Sequence, residues 1–442
     1  MVQKKPTFVF RGDAEKSREW VNRDLDSISP SYTRSYGFTV DYGRGAEVWD
    51  VDGNRYIDFA AGIAVLATGF SHPKVVEAVK NQVEKYMHIG GTDFFSPQPV
   101  LLAEKLQQII PIHHADGPQD KLVYFGNSGT EAVEAALKLA RYGGRDQLIA
   151  FYGAFHGRSM GSLSLTASKN KQRSGYPYIP GGVTHVPYPA LDDPDAIDAI
   201  KFIKKYVFKK VNPLDVAGII VEPIQGEGGY RLPESSFLPR LRDLCDEYGI
   251  LLISDEIQAG MGRTGRWCAM ENWDVKPDIV CLAKGLGSGM PIGAIVAHRN
   301  IMGLWSPGTH ASTFGGNPVS CVAATATIDV IESENLLESV QNLGQYTIDR
   351  LQKFMNNHPS VSRVGGTGFM VGIDFAAKDG SPIPSFRDAI VDECYKHGLL
   401  TLGCGESGIR FAPPLVLNKE LLDEGLDIFE RSISSMEELS WS

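Results

Sequence analysis

Cysteine is scarce and scattered in this chain of 442 residues. Six stand at 245, 268, 281, 321, 394 and 404, and no two share the C-x-x-C spacing of zinc and dithiol sites. That excludes a cysteine zinc centre, and several of the six, such as Cys281 in IVCLAK, read as small core residues. With no disulfide pattern, the expected setting is reducing and cytoplasmic. Long apolar runs are missing too: no uncharged, continuously apolar run reaches the roughly 18 residues of a membrane span. The opening MVQKKPTFVFRGDAEK lacks the apolar centre of a signal peptide. Positive charge is in deficit, with 43 Lys and Arg against 53 Asp and Glu and a net charge of −10. No basic cluster offsets it, so nucleic acid is excluded as a partner. The pairs at 204–205 and 209–210 read as the wet face of a helix. Internal repeats and low-complexity segments are absent.

What remains is an ordinary globular composition, 43% hydrophobic and 22% charged, long enough for two or three domains. The chain is organised around Ile250–Ala294. Two short β-branched runs, Ile250–Ser254 and Asp278–Ala283, read as buried strands of a parallel sheet. Asp255 follows the first and Lys284 ends the second. Ligands of open α/β sheets bind beyond the carboxyl ends of the strands, so both residues are expected at one crevice. A lysine amine of lowered pKa forms a Schiff base with an aldehyde cofactor. Pyridoxal phosphate needs that lysine and a carboxylate for its pyridine nitrogen. Alone, either residue would read as an ordinary surface charge.

In chain order, residues 1–45 are polar and aperiodic, with a short helix near Ser17–Asp26. AEVWDVDGNRYIDFA (46–60) reads as a hairpin turning on Asp52-Gly53-Asn54. AGIAVLATGFSHP (61–73) is too irregular for a long helix. Helices are expected at Pro73–Tyr86 and Pro99–Ile109. Strands at 121–125, at the start of 147–166, and at 183–186, 216–221 and 250–254 alternate with helices within 126–144 and near 195–209 and 236–249, which predicts a doubly wound parallel sheet. Helices follow at 318–332 and 335–356. Past Val361, strands at 361–365, 369–375 and 408–411 with helices at 385–397 and 418–437 predict a smaller α+β domain. The expected division is an N-terminal arm and hairpin (1–72) packing with the small domain, a large cofactor-binding domain (73–335) and the small domain (336–442).

Four further motifs carry chemistry. GNSGTEA puts backbone N–H groups, with Ser128, Gly129 and Thr130, at a helix N-terminus, either a phosphate cradle or a plain cap. AFHGRS offers Phe155 as a stacking face beside His156, and Arg158 as a carboxylate ligand. IIVEPIQGEGGY ends a strand on Glu222 and Glu227, and GIRFAPP holds Arg410, the candidate partner for such an acid. With two acids and no histidine cluster, no metal site is expected.

Together, SDEIQAGMGRTG, LAKGLGSGMPIGA, NSGTEA, EPIQGEGG, FHGR and TFGGNP resemble the class III (subgroup II) aminotransferases of pyridoxal-phosphate fold type I, over residues 45 to 415. GIAVLATG and FHGR look most like the 4-aminobutyrate enzymes and their archaeal-type relatives, some of which are amino-acid racemases. The resemblance implies a mixed, mostly parallel sheet with helices on both faces. It implies that Lys284 carries the cofactor and moves the substrate proton, that Asp255 binds the ring nitrogen, and that Gln258 meets the phenolic oxygen. Phe155 would stack on the ring beside His156. Ser128, Gly129 and Thr130 would hold the phosphate, joined by Thr313 of a second subunit, which makes a homodimer the minimal unit. Arg158 would take a distal carboxylate and Arg410 an α-carboxylate, with Glu227 masking Arg410 for donors that lack one. Ile63, where ornithine-using relatives have tyrosine, counts against ornithine, and ATGF (67–70) departs from the commoner NTGH. The expected reaction moves an ω-amino group from a 4-aminobutyrate-like donor to 2-oxoglutarate; the alternatives are racemisation or epimerisation and, behind it, ornithine or acetylornithine transamination.

Overall fold

Seven strands between Lys121 and His298 form one sheet in a computed structural model that describes residues 6–440. Met1–Lys5 of the polar opening stretch and the last two residues of the C-terminal segment lie outside the described residues. The strand order is Lys121–Gly126, Gly293–His298, Ile279–Leu282, Leu251–Asp255, Val216–Val221, Gln147–Phe151, Val183–Val186. Gly293–His298 is antiparallel to both its neighbours, whereas the other pairings are parallel. The doubly wound parallel sheet is therefore corrected to a mixed one, as the family resemblance implies. The physical reason is the connection at 283–292, which is shorter than the roughly dozen residues a parallel crossover needs.

Alternation along the strands feeds two faces. Ile149, Phe151, Ile219, Val221 and Leu252 pack with Leu238 and Leu241 of helix Phe237–Tyr248. Leu148, Ala150, Ile220 and Ile253 pack with the alanines of helix Gly129–Tyr142 on the other face. Strand Val216–Val221 is buried at every position, as a strand covered on both sides must be. The helix expected over 195–209 is α-helical only at Ala199–Phe202; Ile203–Val207 widens into a π turn, which keeps Ile200, Ile203 and Val207 buried.

The hairpin forms as Glu47–Asp50 and Arg55–Asp58, with Asp50 accepting the Asn54 N–H at 2.8 Å and Gly53 at φ +88° in the turn. The short helix expected near Ser17–Asp26 forms as Glu15–Ser27, and one feature was not read in the aperiodic arm: strand Val40–Arg44, which adds to the hairpin. The hairpin's far edge pairs with Leu399–Leu400, and Phe59 meets Phe411 edge-on at 5.0 Å. A third, antiparallel sheet runs Val361–Thr367, Met370–Phe375, Gly408–Phe411, Leu402–Cys404. All six cysteines are buried and free. Among the described residues no helix is long and apolar enough to cross a membrane.

Helix Leu336–Asn357 lies against the turn between the first two strands of that third sheet. A Cβ at Gly344 would stand 2.4 Å from the Gly368 carbonyl oxygen, a backbone atom that cannot rotate aside. Gly344→Ala should therefore cost about 1–3 kcal/mol and lower the urea midpoint; an unchanged midpoint would show that the helix can shift freely.

Candidate active site

Register places the two key strand ends together. Asp255 pairs with Cys281, so Lys284 stands three residues beyond the position beside Asp255. Lys284 opens a single 3₁₀ turn, Lys284–Leu286, with φ at +43°, a left-handed conformation that is costly for a side chain with a Cβ. The half-buried Lys284 lines a cavity of about 450 Å³ beyond the strand ends. Burial, followed by the field of Arg410, pulls its pKa down to about 8, against the opposing pull of Glu227, Asp255 and Glu222.

Asp255 is buried and doubly held. His156 Nδ1 lies 2.7 Å from one carboxylate oxygen, and the Ile257 N–H donates to the other at 3.1 Å. The His156 backbone N–H donates to Thr166 Oγ1 at 3.0 Å, so the imidazole comes from a fixed turn. Glu222 ties two loops together, accepting the Phe155 N–H at 3.0 Å and the Gly226 N–H at 3.1 Å; burial pushes its pKa up to about 7. Tyr230 donates to Gln258 Oε1 at 2.9 Å, fixing that amide at the cavity wall.

The strand Lys121–Gly126 delivers helix Gly129–Tyr142, whose first turn opens on the cavity. Ser128 caps it, accepting the Glu131 N–H at 3.3 Å. Thr130 Oγ1 shares its hydrogen bonds with Ser159 and Ser162, both at 2.6 Å. Gly157, at φ +134°, makes this approach possible, because a Cβ there would lie 2.4 Å from Thr130 Oγ1. Phe155 lines the cavity with the exposed Arg158 guanidinium 5.6 Å from its ring centre.

Ten residues singled out in the sequence therefore meet at one cavity: Ser128, Gly129, Thr130, Phe155, His156, Arg158, Glu222, Asp255, Gln258 and Lys284. Four others do not line it. Arg410 is buried just outside, with its Nη1 2.6 Å from Glu227 Oε1, the pair the sequence suggested. Burial would raise the Glu227 pKa, but Arg410 brings it below the ordinary value. Ile63 is exposed at φ +67° in the irregular turn Ala61–Ala64. Thr313 is exposed on the loop after Gly293–His298, next to Ser312, which accepts from Asn127 Nδ2 at 2.9 Å. Sequence reasoning missed Val65, Ile257 and Met290 at the cavity wall. Ile257 had a signal, two residues past Asp255, and Val65 lies in the Gly-punctuated loop 61–73, whose irregular pattern suits either a pocket wall or packing; Met290 had none.

Residues 28–433 match the family model described as Aminotransferase class-III. The chain belongs to the class III aminotransferases. It is 36% identical to the alanine/serine racemase of Pyrococcus horikoshii over 97% of this chain and 92% of that one. It is 37% identical to the 4-aminobutyrate aminotransferase GabT of Escherichia coli, covering 94% and 98%. The solved structure of the acetylornithine aminotransferase from Elizabethkingia anophelis superposes with a TM-score of 0.79 at 30% identity, covering 95% and 99%. The fold is pyridoxal-phosphate fold type I, and the family depends on that cofactor.

The residues present in this aminotransferase fit the group. The cavity presents a buried carboxylate braced by an imidazole, one amine of depressed pKa, and the backbone N–H groups of a helix start suited to a phosphate dianion. Only a neutral amine attacks an aldehyde. Uptake of pyridoxal phosphate by the apoprotein should therefore rise with pH to a midpoint near 8, where half of Lys284 is neutral, and level off above it. A rate still climbing towards the ordinary lysine value of 10.5 would contradict the desolvated amine.

Proposed function

We propose that this class III aminotransferase moves an ω-amino group from a 4-aminobutyrate-like donor to 2-oxoglutarate, giving an aldehyde and glutamate. The observation that carries this reading is the Arg410–Glu227 pair at 2.6 Å beside Lys284, while Arg158 stands open. A donor with only a distal carboxylate leaves the buried pair intact and docks on Arg158. A 2-oxo acid brings an α-carboxylate that replaces Glu227 on Arg410, so one site accepts both. The solvent-facing, apolar Ile63 offers no polar group to a second donor amine, which argues against ornithine.

When bound, pyridoxal phosphate supplies an electron sink for the bond broken at the substrate carbon. The protein's own groups do the rest. Asp255, oriented by His156, would hold the ring nitrogen protonated. Gln258 would meet the phenolic oxygen, Phe155 would stack on the ring, and Ser128, Gly129 and Thr130 would hold the phosphate. Lys284 would hold the cofactor at rest and carry a proton from the substrate carbon. Thr313, exposed in a single chain, would reach the phosphate of a second copy, so we propose a homodimer. We also propose three units at 1–72, 73–335 and 336–442, with the hairpin belonging to the last through Phe59 and Leu399.

A second reading, an amino-acid racemase, is favoured by the 36% identity to the Pyrococcus horikoshii alanine/serine racemase. It uses the same lysine and aspartate but returns the proton to the substrate carbon. Single amines added without any keto acid separate the two in the cofactor's absorption spectrum. With the transaminase, 4-aminobutyrate converts the bound cofactor to its pyridoxamine form; N-acetylornithine doing so alone would replace the donor assigned here. If L- and D-leucine bind and interconvert without that conversion, the racemase reading takes over. In addition, Arg158→Met should raise KM for 4-aminobutyrate about tenfold to a hundredfold, the loss of one charged hydrogen bond. An unchanged KM would remove Arg158 from the donor site.

A further inference from the structure

Glu227 faces two cations, not one. Its Oε1 takes Arg410, and its Oε2 lies 3.8 Å from Lys169 Nζ. Lys169 sits on the loop after helix Met160–Leu165, away from the cofactor cavity, and has no other ion pair among the described residues. Lys169 and Glu227 both line a separate cavity of about 520 Å³, also bordered by Ser168, Asn170 and Ser407. Arg231 borders it too, but its guanidinium is already balanced by Asp192 at 3.0 Å and Asp374 at 2.6 Å. We propose that Lys169 is a specificity-determining positioning residue: it receives the Glu227 carboxylate when an α-carboxylate displaces it from Arg410.

This rests on the masked-arginine reading above and adds to it the place where the mask goes. A carboxylate stripped of its partner in a largely enclosed site is unstable unless another cation takes it up. The backbone of Glu227 is tied at its carbonyl, which accepts the Gly405 N–H at 3.0 Å. The side chain can rotate, and Glu227 and Lys169 both border the second cavity. The Lys169 side chain is 47% exposed, which limits the attraction and makes it sensitive to salt. Lys169 thus sets how readily the site opens for substrates with an α-carboxylate, and leaves substrates without one untouched.

The test compares half-reactions of the holoenzyme with glutamate and with 4-aminobutyrate, followed by cofactor absorbance, for Lys169→Met, Lys169→Arg and Glu227→Gln. For Lys169→Met, kcat/KM for glutamate should fall about three- to fivefold at low salt, with 4-aminobutyrate unchanged within about 1.5-fold and Lys169→Arg restoring glutamate. In the Glu227→Gln background, Lys169→Met should have no further effect, because no carboxylate remains to be received. An equal loss for both donors, or no loss, overturns the role of Lys169 when Glu227→Gln alone still shifts the donor ratio. If Glu227→Gln leaves that ratio unchanged, the masked arginine itself is wrong, and the role of Lys169 falls with it.

Discussion

The site depends on keeping one lysine amine out of water beside a buried carboxylate. Desolvation is the largest influence on Lys284, ahead of every charge around it. Because the opposing pulls of Arg410 and the nearby acids partly cancel, burial decides the outcome. That burial is a property of the sheet. Two parallel strands end in register, and the reversed strand Gly293–His298 closes the flank of the one that delivers Lys284. A surface lysine on a loop could not be held this way. The left-handed backbone at Lys284 is a local cost accepted for pointing the amine inward.

Around that amine the carboxylates are sorted by their partners. Asp255 faces an imidazole at 2.7 Å, whereas Glu222 accepts only backbone N–H groups and is driven by burial to about 7. Glu227 has a guanidinium and is held below its ordinary value. Three acids within one small region therefore do different work: one faces the cofactor cavity, one pins the loop that carries Phe155, and one closes over an arginine. The glycines at 157, 226 and 228 let these loops approach within distances that any Cβ would prevent.

Much of this was legible in the sequence because it follows from strand ends and helix starts. Asp255, Lys284 and the Ser128–Thr130 turn lie at points where a short apolar run meets a turn, and periodicity locates such points well. The acid–arginine pairing across 183 positions, Glu227 with Arg410, was also legible, because a carboxylate among apolar neighbours needs a cation. The rest was hidden for physical reasons. Strand direction at Gly293–His298 depends on connection length, which the apolar pattern does not report. Leu399–Leu400 and Leu402–Cys404 are too short to show a period. Met290 is an apolar residue whose role comes only from where its loop falls. The exposed Thr313 would acquire its proposed role only through a second copy of the chain.

The central claim is that Lys284 is the amine that takes up the cofactor. The most direct measurement is borohydride reduction of the holoenzyme, followed by peptide mapping. Reduction makes the lysine–cofactor bond permanent, so the account predicts a phosphopyridoxyl group on the peptide containing Lys284, and none in Lys284→Ala. The same modification at any other lysine, or an unmodified Lys284 in a yellow, active enzyme, would contradict it.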